Sequence, residues 1–205
     1  MTMLTTLSTL LAALLLVPGQ ASPELESATF TVSVDGNVIG TEEFSILRSG
    51  DGYLTQATTR FQLDGQTVRA DSTLRLDAGL RPLSYEYRSG DQRLEFTIAE
   101  PTTEVRISVN GSDRALDLRL PADGAIIDDN FFHHYLILLY RFGGSGGMVP
   151  TFVPQQMTLG SLTVTGTGPG TYAIETDNLR LEATTDAGGR LIRLEVPDAN
   201  VVVER

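Results

Sequence analysis

From Ala28 onward, apolar and polar residues alternate one by one over most of the chain, and this period of two constrains the fold more than any other feature. Successive side chains of a strand point to opposite faces, so each run has one apolar face and one wet face. Phe30, Val32 and Val34 alternate with Thr31 and Ser33; Tyr53, Ala57, Phe61 and Leu63 share a parity opposed by Gln56, Arg60 and Gln62. The same parity recurs at Leu74 and Leu76, at Leu83, Tyr85 and Tyr87, at Leu94, Phe96 and Ile98, at Val105, Ile107 and Val109, and at Leu116, Leu118 and Leu120. It returns later at Leu162 and Val164, Tyr172 and Ile174, Leu179 and Leu181, and Ile192, Leu194 and Val196. Asp35-Gly36, Asp51-Gly52, Asp64-Gly65, Asn110-Gly111 and Gly188-Gly189 separate the runs and tolerate the positive φ angles of hairpin turns. Short strands with no helix between most of them cannot make a parallel sheet, which needs crossover connections. The expected fold is therefore all-β: a strongly curved antiparallel meander, an open barrel or a sandwich, in a single domain spanning residues 22–205.

The charge pattern narrows the function. A formal charge of −11, from 26 acidic and 15 basic residues, gives no positive field for nucleic acid or an anionic membrane surface. All the basic residues are arginine, alternating with Asp, Glu, Thr and Gln, and they read as solvated cross-strand partners. Cysteine is absent, which excludes disulfides, thiolate metal sites and cysteine nucleophiles.

Residues 1–21 carry no charged side chain, and Leu7 to Val17 form an apolar run of about 11 residues, short of the roughly 20 that span a bilayer as a helix. Pro18 ends the run and Gly19-Gln20-Ala21 supplies small residues for a signal peptidase. A signal peptide at 1–21 is expected, with export to the periplasm or the extracellular space and no stable transmembrane anchor.

The block Asp128 to Phe142, DDNFFHHYLILLYRF, breaks the alternation. Asp128, Asp129 or Asn130 are expected to cap a short helix over 128–142 that the Gly143-Gly144-Ser145-Gly146-Gly147 run terminates. Apolar groups on nearly all its sides predict burial on several faces, as a plug or lid over the concave side of the sheet. As a plug it completes the core. As a lid it gates an apolar cavity, with Phe131, Phe132, Tyr135, Leu138, Leu139, Tyr140 and Phe142 as ligand contacts and Gly143, Gly144, Gly146 and Gly147 as hinge. His133 and His134 are the only histidines, and Asp129 with His133 has the i, i+4 spacing by which a carboxylate orients an imidazole. These three are the metal or acid/base candidates, yet adjacent helical residues diverge by about 100° and no third ligand is designated. No cofactor and no catalytic residue is expected. Gly143 to Gly147 also spells G-x-S-x-G, but Ser145 follows a helix-like block instead of the strand that motif requires. Asn110-Gly111-Ser112 spells a glycosylation sequon and reads first as a hairpin turn.

The segments VDGNVIGTEEFSI, LRLDAGLRPLSYEY and DDNFFHHY, the last followed by VPQQ, resemble uncharacterised exported β-proteins known only as domains of unknown function. The resemblance implies the fold and no activity. At the level of architecture the chain is also similar to periplasmic lipoprotein carriers, which hold acyl chains in an open barrel. Three functions follow as expectations. The first is an envelope protein that binds or carries a hydrophobic or amphipathic ligand, a lipid or other apolar small molecule, in a cavity of several hundred Å³ between sheet and helix. The second is a structural or protein-interaction module of the envelope. The third is a metal-dependent or acid/base enzyme using the Asp-Asp-Asn-x-x-His-His block.

Overall fold

The computed structural model describes residues 24–205 except 64, 100, 101, 122 and 177, and the leader expected at 1–21 lies outside the described residues. In chain order the elements are β1 (Glu24–Val34), β2 (Asn37–Ser49), β3 (Gly52–Leu63), β4 (Gln66–Leu76), β5 (Pro82–Ser89), β6 (Gln92–Thr97), β7 (Thr103–Val109) and β8 (Ser112–Leu118). There follow β9 (Ala125–Ile126), α1 (His133–Phe142), β10 (Gly147–Val153), β11 (Thr158–Gly168), β12 (Thr171–Glu175), β13 (Arg180–Thr185), β14 (Leu191–Val196) and β15 (Val201–Glu204).

Alternation and tight turns produce a meander, as expected. The fifteen described strands form one sheet in the order β8-β7-β6-β5-β4-β3-β2-β1-β15-β14-β13-β12-β11-β10-β9, left open between β8 and β9. Every pairing is antiparallel except β9 with β10. That exception follows from α1, which supplies the crossover connection that lets two successive strands run the same way. The sheet curls on itself: Phe96 of β6 and Phe152 of β10, far apart in strand order, meet with ring centroids 5.4 Å apart.

The inward faces make one core, including Phe30, Phe44, Ile46, Leu74, Tyr85, Phe96, Ile174 and Leu194, all buried. Each such aliphatic or aromatic side chain contributes about 1.5–3 kcal/mol on burial. Five residues read on the inward parity are exposed, two of them, Leu63 and Val109, at the ends of β3 and β7. Leu83 and Ile192 are exposed because the register slips past each of them: Arg75 pairs with Ser84 and Leu76 with Pro82, while Thr184 pairs with Arg193 and Thr185 with Leu191. Leu179 is exposed just ahead of β13.

α1 is shorter than the expected 128–142, and six of its ten residues are buried: His133, His134, Leu136, Ile137, Leu138 and Leu139. It fills the concave side of the sheet on several faces. The glycine run ends it as expected, with the N–H groups of Ser145 and Gly146 both returning to the Phe142 carbonyl. Gly146 has φ +64°, which an L side chain adopts only under strain. Gly147 already belongs to β10.

Candidate functional site

The start of α1 is held by a strand more than eighty residues away. Asp128, Asp129 and Asn130 do not cap the helix, correcting the sequence expectation; Phe132 occupies the cap position without a side-chain bond. Glu42, on the inward face of β2, takes over this role. Its Oε2 accepts the Phe132 N–H at 2.6 Å, and its Oε1 lies 3.3 Å from the His133 main-chain nitrogen and 2.5 Å from His133 Nδ1. Unpaired N–H groups at a helix start suit a carboxyl oxygen. Asp128 instead shapes the preceding turn, accepting the Asn130 N–H at 2.8 Å and receiving the Tyr85 hydroxyl and the Gln155 amide.

Across the ring, His133 Nε2 lies 3.2 Å from the Thr55 hydroxyl on β3. Glu42, His133 and Thr55 are all fully buried. Desolvation raises the Glu42 carboxyl to about 8, against the opposing pull of the Phe132 and His133 main chain, and lowers His133 to about 3. At neutral pH the pair is therefore uncharged, with the Glu42 carboxyl hydrogen-bonded to Nδ1 and the Thr55 hydroxyl to Nε2. The hydroxyl–imidazole–carboxyl order resembles that of a hydrolase triad. Here the carboxyl is uncharged and cannot stabilise an imidazolium, and none of the three side chains faces solvent. Its chemistry is that of a polar anchor pinning α1 to β2 and β3.

His134 differs. It is buried, and neither ring nitrogen has a hydrogen-bond partner; the Ile126 main chain lies near the ring without completing a bond. Burial, reinforced by His133, keeps it neutral well below the ordinary imidazole range. Around it stand Phe131, stacked at 6.1 Å, Tyr85 edge-on at 5.7 Å and His133 edge-on at 4.5 Å. Thr59, Ser72 and Gln155 each leave one buried polar atom unpaired, whereas His134 leaves two. A neutral imidazole carries one donor and one acceptor, and leaving both unmade costs about 1–3 kcal/mol each.

His134 borders an apolar pocket between α1 and the sheet, with Leu74, Leu76, Ile137, Leu138 and Phe142 among its walls. A second pocket, between Ile98, Leu120, Pro121 and Phe152, lies at the seam where the sheet stays open. Pro82, Ala125 and Ile126 border both, so β9 is the partition between them. The open space is ≈ 10 Å³ in the inner pocket and ≈ 20 Å³ in the outer, about the room one water needs. The expected cavity of several hundred Å³ is thus replaced by two small pockets and a well-filled core. β9 is attached to β10 by two residue pairs only, Ala125 with Thr151 and Ile126 with Phe152.

Of the expected ligand contacts, Leu138 and Phe142 line the inner pocket, while Phe131, Phe132, Tyr135, Leu139 and Tyr140 line neither. Phe131 packs edge-on against Tyr87, and the Tyr140 hydroxyl bonds Glu26, which also pairs with Arg205. Gly143, Gly144, Gly146 and Gly147 lie beyond the far end of α1. Asp129 does not meet His133: it lies outside the helix, exposed, and accepts from Gln156 at 2.7 Å. Among the described residues no three His, Asp or Glu side chains converge to hold a metal ion. Glu42, Thr55, Tyr85 and Gln155 were not among the expected site residues. Glu42 carried a signal: a charged residue at the parity of Phe44 and Ile46.

No protein-family model matches the sequence, and no curated protein matches it. Among solved structures, it is similar to the crystal structure of a DUF1089 family protein from Pseudomonas aeruginosa, with a TM-score of 0.53 and 14% identity over 77% of this chain and 90% of that one. With its open sheet and buried α1, this chain shares its fold with that protein of a family of unknown function.

Proposed function

We propose that this is an exported envelope protein that binds an amphipathic small molecule between α1 and the sheet. The observation that carries the reading is His134, a fully buried imidazole with two unmade hydrogen bonds on the wall of an apolar pocket. A ligand hydroxyl, acid or amide would supply one of the two bonds, and an apolar chain would lie along Leu74, Leu76, Leu138 and Phe142. As they stand the pockets hold about one water each, so admission requires α1 to part from the sheet as well as the two pockets to join, and the weakly attached β9 is the element whose displacement joins them. Export rests on the uncharged apolar start of the chain; a mature N-terminus at Ser22 is the outcome that supports it.

Native mass spectrometry of the purified protein, followed by organic-solvent extraction, tests the binding reading. A released apolar molecule bound one to one supports it. An empty protein that also takes up no alkyl amphiphile in titration contradicts it. A second reading, a partner-binding module, is favoured by Leu63 and Val68, which lie exposed on the parity that is buried elsewhere along β3 and β4. An empty pocket together with self-association lost in Leu63→Ser would favour it instead.

A further inference from the structure

The inner pocket has a charged border. Arg141, in the last turn of α1, lines it beside Leu80 and Pro82, and only 11% of its side chain is exposed. A guanidinium so far withdrawn from water calls for a close carboxylate. Arg141 has instead a carbonyl, Gly124 O at 3.1 Å, and a distant carboxylate, Asp123 Oδ1 at 3.5 Å. Asp123 is 68% exposed and sits closer to Arg81, at 2.9 Å from its Nε. The other carboxylate facing this group is Asp77, whose Oδ1 is already occupied by the main-chain N–H groups of Gly79 and Arg81, each at 2.8 Å. The Phe142 ring lies against the guanidinium, with its centroid 4.7 Å from Cζ, and covers it from one side. Two arginines thus converge at one end of an apolar pocket on a single exposed aspartate that neither holds in a two-point fork.

We infer that the amphiphile taken up here is a single-chain molecule with an anionic head, a carboxylate or phosphate monoester, seated on Arg141 and Arg81 in place of Asp123. The inference rests on the binding reading above and adds the headgroup. A planar guanidinium presents paired donors that match two oxygens of such a head, and the partly desolvated site strengthens the contact. Asp123, exposed, is free to turn into water when the head arrives. The alkyl chain then runs inward with its end toward His134, in space that α1 and β9 open as they part, since the closed pocket holds about one water.

Titration of the full chain with dodecanoate, dodecyl phosphate, 1-dodecanol and inorganic phosphate separates the possibilities. At least one of the two dodecyl anions is expected to bind about tenfold or more tightly than dodecanol, and inorganic phosphate alone to bind far more weakly. Arg141→Gln should bring the anions down to the level at which the same variant binds dodecanol. Asp123→Ala should tighten the anions several-fold by removing their competitor. Equal affinity for dodecanol and both anions overturns the headgroup inference and leaves the pocket reading standing. Inorganic phosphate binding as tightly as dodecyl phosphate overturns it in favour of a bare anion site. No binding by any dodecyl compound overturns both.

Discussion

At the scale of single residues, Glu42 and the two histidines make opposite demands on pH. The Glu42 carboxyl, raised by burial from 4.5 to about 8, contributes stability that is complete below pH 4.5 and lost as pH rises through about 8. His133, lowered from 6.5 to about 3, contributes stability that is complete above 6.5 and lost as pH falls toward 3, and His134 adds in the same direction. Between pH 6.5 and 8 only the Glu42 slope remains of the three. Urea unfolding across that window should show stability falling in the parent protein and flat in Glu42→Gln, whose amide keeps the neutral hydrogen-bonding shape. Parallel profiles would contradict the assignment of a neutral pair. His134 makes a different prediction. Replacing an imidazole that satisfies neither nitrogen with an apolar side chain of similar size removes an uncompensated desolvation cost, so His134→Leu should stabilise the fold by about 1 kcal/mol. Thermal unfolding measures the effect. A variant that loses stability would show the imidazole to be satisfied within the core.

At the scale of elements, α1 is a packed part of the core and also the wall of the pocket. Leu138 is 1% exposed and borders the inner pocket, so Leu138→Ala should cost about 2–5 kcal/mol in chemical denaturation; a loss below about 1 kcal/mol would mean the helix is loosely seated. The helix was legible in the sequence because an unbroken apolar block cannot sit in a two-residue period, and the glycine run marked its end. Its start was not legible. Asp128-Asp129-Asn130 has the composition of a cap, but the carboxyl that meets the helix N–H groups belongs to Glu42 on β2, and sequence proximity carries no information about that contact. Most strands were legible, since inward parity holds from Phe30 to Val203; the exceptions at Leu83 and Ile192 sit at register slips that alternation alone does not encode. The parallel β9–β10 pair also escaped, because two residues are too few to show any period.

At the scale of the whole molecule, an open sheet wrapped around one helix leaves a seam, and the shortest strand lies along it. If binding requires β9 to move, fixing it to β10 should slow uptake. The chain has no cysteine of its own, so Ala125→Cys with Thr151→Cys places a single disulfide across a paired position. Uptake of dodecanoate should be slow in the oxidised protein and restored by a reductant; equal rates in both states would place the entry elsewhere. What the sequence could not indicate was the site itself. The His133 and His134 pair was visible, but that one is sealed in hydrogen bonds while the other faces a pocket with none depends on Glu42, Thr55, Ile126 and Ala125, four residues brought together only by the curl of the sheet. The most direct measurement uses that asymmetry. With only two histidines, the imidazole resonances of the chain can be followed individually by NMR during titration with dodecanoate. With the carboxylate held at Arg141 and the chain end against the His134 ring, a large, saturable shift is expected at His134 with His133 nearly unmoved; saturation that leaves His134 unchanged, or moves both rings equally through a general rearrangement, would contradict the binding reading.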